Sequence, residues 1–100
     1  MTYYSVLDVN PTTDKWIPAY VPVATELVAR HGGKYIARTA SHEQVEGETK
    51  EAALRVILEW PSKEAAVAFM NDPEYAPHLK ARTEGSVSHH YLIEGKDDLA

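Results

Sequence analysis

The chain has 100 residues, 44% of them hydrophobic and 25% charged, with no cysteine and a net charge of −5. A length of this order fits one domain with a thin core, because only roughly 60–70% of the unfolded surface is buried at such a size. This composition excludes a disordered chain. The lack of cysteine excludes a disulfide framework, a thiolate nucleophile and a cysteine metal site, and the scattered Lys and Arg form no stripe that would hold a nucleic-acid backbone.

Residues Met1 to Ser5 show no basic segment followed by an apolar run, so no signal peptide is read there. No stretch approaches ~20 consecutive apolar residues, so neither a transmembrane helix nor a membrane partner is expected, and the expected location is the cytoplasm. Thr2 to Val9 alternates loosely and is rich in Tyr, Val and Leu, which predicts a strand. Asn10-Pro11-Thr12-Thr13-Asp14 is a turn that supplies candidates for a helix N-cap. From Lys15 to Arg30 the apolar residues Trp16, Tyr20, Val23, Ala24, Leu27 and Val28 recur at helical spacing. Pro18 fits a first turn, whereas Pro22 removes an interior hydrogen bond and predicts a kink or two abutting helical pieces. Gly32-Gly33 ends the helix.

Gly33 to Thr39 is a second strand, and the polar stretch Ala40 to Ala52 reads as a long hairpin connection. Leu54 to Trp60 is a third strand, whose run Val56-Ile57-Leu58 predicts burial on both faces. Pro61 ends it. Ser62 caps a helix to about Asn71 with Ala65, Ala66, Phe69 and Met70 as its buried stripe, and Glu74 to Ala81 adds a short helical segment. Val87 to Ile93 is the last strand. Residues 1–95 thus form one domain, and 96–100 a C-terminal tail.

The order β-α-β-β-α-β is that of the ferredoxin-like α+β fold, a four-stranded antiparallel sheet with both helices on one face. None of the strands is cleanly polar on alternate positions, so the bare face would be largely apolar. Two such faces packed together predict a homodimer through the open face of the sheet.

Several segments taken in order resemble the domain of unknown function 1330 family, within the dimeric α+β barrel superfamily. They are His31-Gly32-Gly33-Lys34-Tyr35, Arg38, Val45-Glu46-Gly47, Leu58-Glu59-Trp60-Pro61-Ser62, Asp72-Pro73-Glu74-Tyr75, Arg82, and Tyr91-Leu92-Ile93-Glu94-Gly95. The resemblance implies a ferredoxin-like fold and a dimer whose sheets close into a barrel. It implies no particular reaction, since the wider superfamily includes cofactor-independent monooxygenases, haem-degrading enzymes and small lactone isomerases. Pro18, Pro22 and the pair His89-His90 depart from the family pattern.

The candidate chemistry is sparse. His31 reads either as a helix C-terminal cap, where an imidazolium meets the helix dipole, or as an acid or base facing a pocket. Arg38 and Glu59 stand on strands that pair, and a cross-strand ion pair between them would be worth ~0.2–1 kcal/mol. The alternative places Arg38 inside the barrel, holding a ligand carboxylate in a bidentate fork. Tyr4, Trp16, Tyr20, Trp60 and Tyr75 would converge between sheet and first helix, as core or as the wall of an apolar pocket. His89 and His90 point to opposite faces, so they do not chelate a metal together, and one of them is expected buried and hydrogen-bonded at the dimer interface. With His42 in a loop and no H-x-x-x-H spacing, no metal site and no cofactor is predicted. Serine-hydrolase and nucleotide-loop signatures are absent from the sequence.

Two functional readings follow. The first is a homodimer that binds a small apolar or carboxylate ligand between sheet and helices. The second is a cofactor-independent enzyme, of monooxygenase or isomerase type, with His31 or Glu59 as the acid or base.

Overall fold

The computed structural model describes residues 1–100. Its elements run β1 (Tyr3–Pro11), α1 (Ile17–Arg30), β2 (Lys34–Thr39), β3 (Leu54–Trp60), α2 (Lys63–Met70), α3 (Ala76–Glu84) and β4 (Ser86–Glu94). The strands form one antiparallel sheet in the order β2-β3-β1-β4. This is the ferredoxin-like arrangement that the alternation of elements predicts, with α3 a full helix where the sequence indicates only a short segment.

Register decides which side chains share a face. Ser5 stands opposite Leu58, Leu7 opposite Val56 and Tyr3 opposite Trp60. These positions turn toward the helices, and they meet Ala24, Leu27 and Val28 of α1 and Ala66 and Phe69 of α2 in the core. Trp60 is completely buried, and its indole N–H donates to Ser5 Oγ at 2.9 Å. Gly33 permits this packing, because a Cβ there would stand 2.6 Å from the Trp60 ring. Gly32 adopts φ +79 at the end of α1, the left-handed turn expected of a helix stop.

Pro22 lies inside a continuous α1, so the predicted break does not occur. Pro22 is six residues into the helix, and the one bond it removes would have used the carbonyl of Pro18, in the exposed first turn. Ser62 caps α2 as predicted, accepting from the Ala65 amide at 3.1 Å. The connection 40–53 carries no helix or strand. Within it, the Gln44 side-chain amide donates to the carbonyls of Glu46, Gly47 and Glu48.

The opposite face of the sheet is uncovered by the chain. Val6 stands between Ile57 and Tyr91, and Tyr4 between Glu59 and Ile93. Ile57, expected buried on sequence grounds, is 38% exposed there, and Tyr91 is 65% exposed.

Candidate functional site

The space between the helix side of the sheet and helices α1 and α3 contains a cavity of about 370 Å³. Leu7, Val9, Val56 and Leu58 form its floor, and Trp16, Tyr20, Tyr75 and Leu79 form its wall. Fifteen of its nineteen lining residues are hydrophobic, so the few polar groups there must set the orientation of anything bound.

The wall is fixed by local bonds. Trp16 precedes α1, and its indole N–H donates to the Gly85 carbonyl at 3.0 Å. Its ring lies where a Cβ on Gly85 would be, which explains glycine at that position. Trp16 meets Tyr20 edge-on at 5.2 Å. The Tyr20 and Tyr75 hydroxyls are 2.6 Å apart, and burial pushes the Tyr20 phenol well above its ordinary pKa, so it stays neutral.

Arg82 is the unusual group. It projects from α3, is only 5% exposed and lines the cavity, yet no carboxylate lies within ion-pair distance of it. Nη1 donates to Ser88 Oγ at 2.8 Å, while Nε is buried with no partner. Its Cζ stands 5.9 Å from the centre of the Tyr20 ring. A buried guanidinium without a counter-charge is costly and calls for an anion.

His90 lies near it on β4. Its Nε2 is 2.8 Å from Ser5 Oγ, and Ser5 also receives the Trp60 N–H. Ser5 is fully buried and has no other acceptor for its own proton, so that proton goes to His90 Nε2. The network therefore assigns a neutral imidazole protonated at Nδ1. Burial first, and the nearby Arg82 charge second, lower the pKa of His90 and oppose its protonation. At the edge of the cavity Arg38 is exposed, lies 3.9 Å over the Tyr35 ring and donates from Nη1 to Thr25 Oγ1 at 2.9 Å.

Of the candidates named from sequence, Arg38, Trp16, Tyr20 and Tyr75 line the cavity. Trp60 does not, because it is sealed in the core beneath, nor does Tyr4, whose position in the register turns it to the open face. Glu59 shares that open face and stands opposite Lys34, whereas Arg38 stands opposite Val56 on the helix side. The register sets Lys34, four residues before Arg38, opposite Glu59, so Arg38 and Glu59 form no ion pair, and the bulge between Tyr35 and Ala37 turns Arg38 to the helix side. His31 is the C-cap of α1 and lies outside the cavity, with Nε2 2.7 Å from Asp72 Oδ2. The hydrogen-bonded histidine of the pair is the half-buried His90, and it lies on the helix side and not at the open face expected to form the dimer, while His89 faces outward 3.1 Å from Asp8. No three His, Cys, Asp or Glu side chains are grouped to hold a metal.

Arg82 and His90 were not singled out for the site from sequence. Arg82, between Lys80 and Glu84, lies just past the segment Glu74 to Ala81 that the sequence marks as helical. The available signal lay in β4, where Ser86, Ser88 and His90 alternate with Val87, His89 and Tyr91. Polar residues at every second position there face the helices, the inverse of a normal buried face.

The profile of the family Domain of unknown function (DUF1330) matches residues 2–96. The chain belongs to that family. No curated protein matches it significantly. Among solved structures, this DUF1330 chain is similar to RPA0582, a protein of unknown function from Rhodopseudomonas palustris. The TM-score is 0.79 at 20% identity, over 96% of this chain and 83% of that one. It is also similar to SnoaB, a cofactor-independent oxygenase from Streptomyces nogalater, with TM-score 0.59 and 19% identity over 98% and 94% of the two chains. A protein of unknown function from Bacteroides thetaiotaomicron, described as a possible oxidoreductase, gives TM-score 0.56 at 15% identity over 93% and 96%. These likenesses establish the α+β fold. No helix of the DUF1330 chain is long and apolar enough to cross a membrane.

Proposed function

We propose that the protein binds a small, largely apolar carboxylate in the cavity between sheet and helices. The observation that carries this reading is the buried Arg82 guanidinium, which lines an apolar space without an anionic partner. A ligand carboxylate supplies the missing counter-charge, and the fork of donors suits it. The volume of about 370 Å³ falls within the small-molecule range, and the Trp16, Tyr20 and Tyr75 wall suits a flat apolar body. Arg38 adds positive charge at the edge. Calorimetry with 3-phenylpropionate and its neutral amide tests the reading. The acid should bind about tenfold to a hundredfold more tightly, the range of charge-assisted hydrogen bonds. Equal binding of acid and amide, or no binding of either, overturns it.

The working unit in this reading is a homodimer through the open sheet face. Support comes from β4, whose apolar Val87, Tyr91 and Ile93 are 48–65% exposed while Ser86, Ser88 and His90 turn inward. A row of that kind beside Val6 and Ile57 is more apolar than a solvated sheet face requires. Native mass spectrometry of the untagged protein should give a dimer, and Tyr91→Glu should give a monomer. A monomeric parent contradicts this arrangement.

A cofactor-independent enzyme is the second reading, motivated by the fold shared with SnoaB. Catalysis in this cavity would fall to His90, because His31 and Glu59 lie outside it. The acceptor nitrogen of His90 is already committed to Ser5, which favours binding over proton abstraction. Uptake of solvent deuterium at C3 of phenylpyruvate, abolished by His90→Gln, would favour the enzyme.

A further inference from the structure

We propose that His90 is a specificity-determining residue of the cavity, a fixed hydrogen-bond donor beside Arg82 that selects carboxylates carrying a second oxygen on the adjacent carbon, the 2-oxo and 2-hydroxy acids. The inference rests on the carboxylate reading above and names the class of acid within it.

A hydrogen-bonded chain runs from buried Trp60 through buried Ser5 to half-buried His90. Trp60 can only donate, so Ser5 Oγ accepts at 2.9 Å and passes its own proton to His90 Nε2 at 2.8 Å. The imidazole is thereby held in one tautomer and one orientation by residues that themselves cannot move, Trp60 and Ser5 being completely buried. Nδ1–H has no partner in the protein, and His90 lines the cavity. Arg82 is anchored by Nη1 to Ser88, two residues away on the same face of the same strand. Ser88, which anchors the guanidinium, and His90 are thus roughly 7 Å apart along β4 at the backbone. Two oxygens on adjacent carbons of one ligand reach both donors, the carboxylate meeting Arg82 and the second oxygen meeting Nδ1–H. An acid without that second oxygen leaves the Nδ1–H unpaired in an apolar space, which penalises it. The other polar pair on the wall, Tyr20 and Tyr75, is engaged with itself at 2.6 Å.

The probes are phenylpyruvate and 3-phenylpropionate, alike except at C2. The parent protein should prefer phenylpyruvate by about fivefold to tenfold, the value of one hydrogen bond. His90→Asn places an amide N–H near the position of Nδ1 and should retain the preference. His90→Gln reaches the position of Nε2, keeps an acceptor for Ser5 and should lose the preference, the two acids then binding about equally. Arg82→Met should weaken both acids together. In addition, the 15N shifts of the His90 ring should report a neutral Nδ1–H tautomer in the free protein. Equal affinity of the parent for the two acids overturns the role of His90 and leaves the carboxylate reading standing. A preference that survives His90→Gln, or that disappears in Tyr75→Phe, likewise overturns it. Failure of both acids to bind removes the carboxylate reading together with this inference.

Discussion

Arg82→Met should make the empty protein more stable and the ligand-binding protein worse, a pairing that a purely structural arginine would not give. Arg82 is 5% exposed and holds one side-chain hydrogen bond, to Ser88, with Nε unpartnered and no carboxylate nearby. Burying an ion costs several kcal/mol, and replacing buried charge by an apolar residue of similar volume is often stabilising by about 1–4 kcal/mol. Against this stands the lost bond to Ser88, a charge-assisted bond worth about 1.5–3 kcal/mol whose partner is only half-buried and can turn to water. Methionine retains the apolar stem that packs near Tyr20. With the freed Ser88 hydroxyl rehydrated, the loss of that bond is largely offset and a net gain of up to about 1 kcal/mol follows, which for a chain of this size raises Tm by up to about 4–8 °C. Thermal and urea unfolding without ligand, each paired with calorimetry on 3-phenylpropionate, reads both quantities. A variant that melts several degrees lower while binding the acid undiminished would refute the reasoning, since Arg82 would then be a structural tie.

Two further outcomes are expected elsewhere in the molecule. The His31 hydrogen bond, and next the Glu74 amide, hold the Asp72 carboxyl below its usual pKa. Its contribution to stability is therefore complete above pH ~4, near the unfolded value, and is lost as pH falls through the lower folded value. Asp72→Asn should flatten the acid limb of the stability profile below pH ~4 in urea titrations; an identical acid limb would exclude this pair as its source. Gly33→Ala should cost about 1–3 kcal/mol in chemical unfolding, because the new methyl meets Trp60, which has no room to yield. Wild-type stability in that variant would mean that the α1–β2 turn shifts freely.

Much of the fold was legible because burial and period agree in it. β3 runs between Leu54 and Trp60 as its apolar run indicates, and Ser62 caps α2 where a serine precedes a helical stripe. α3 was read short because it carries Pro77, Lys80, Arg82 and Glu84 and shows no apolar stripe, its one buried residue being the arginine itself. Pro22 misled because the sequence alone does not show how close it lies to the helix start. The aromatic wall was legible as a group of large side chains, although Tyr4 and Trp60 fell away through register and depth. Arg38 and Glu59 were set together because their strands pair, but the register places Lys34 opposite Glu59 and Arg38 further along β3. Arg82 and His90 were missed for a common reason. Each is a polar residue whose placement depends on how α3 crosses over β4, a long-range relation of which the polar alternation in β4 was the one local trace.

In the proposed function, a ligand carboxylate completes Arg82. The most direct measurement is a crystal structure of the protein grown with saturating 3-phenylpropionate. The account predicts the carboxylate within hydrogen-bond distance of the Arg82 guanidinium, with the phenyl ring against Trp16, Tyr20 and Tyr75. An empty cavity at saturation, or a ligand bound with its carboxylate turned away from Arg82, would contradict it.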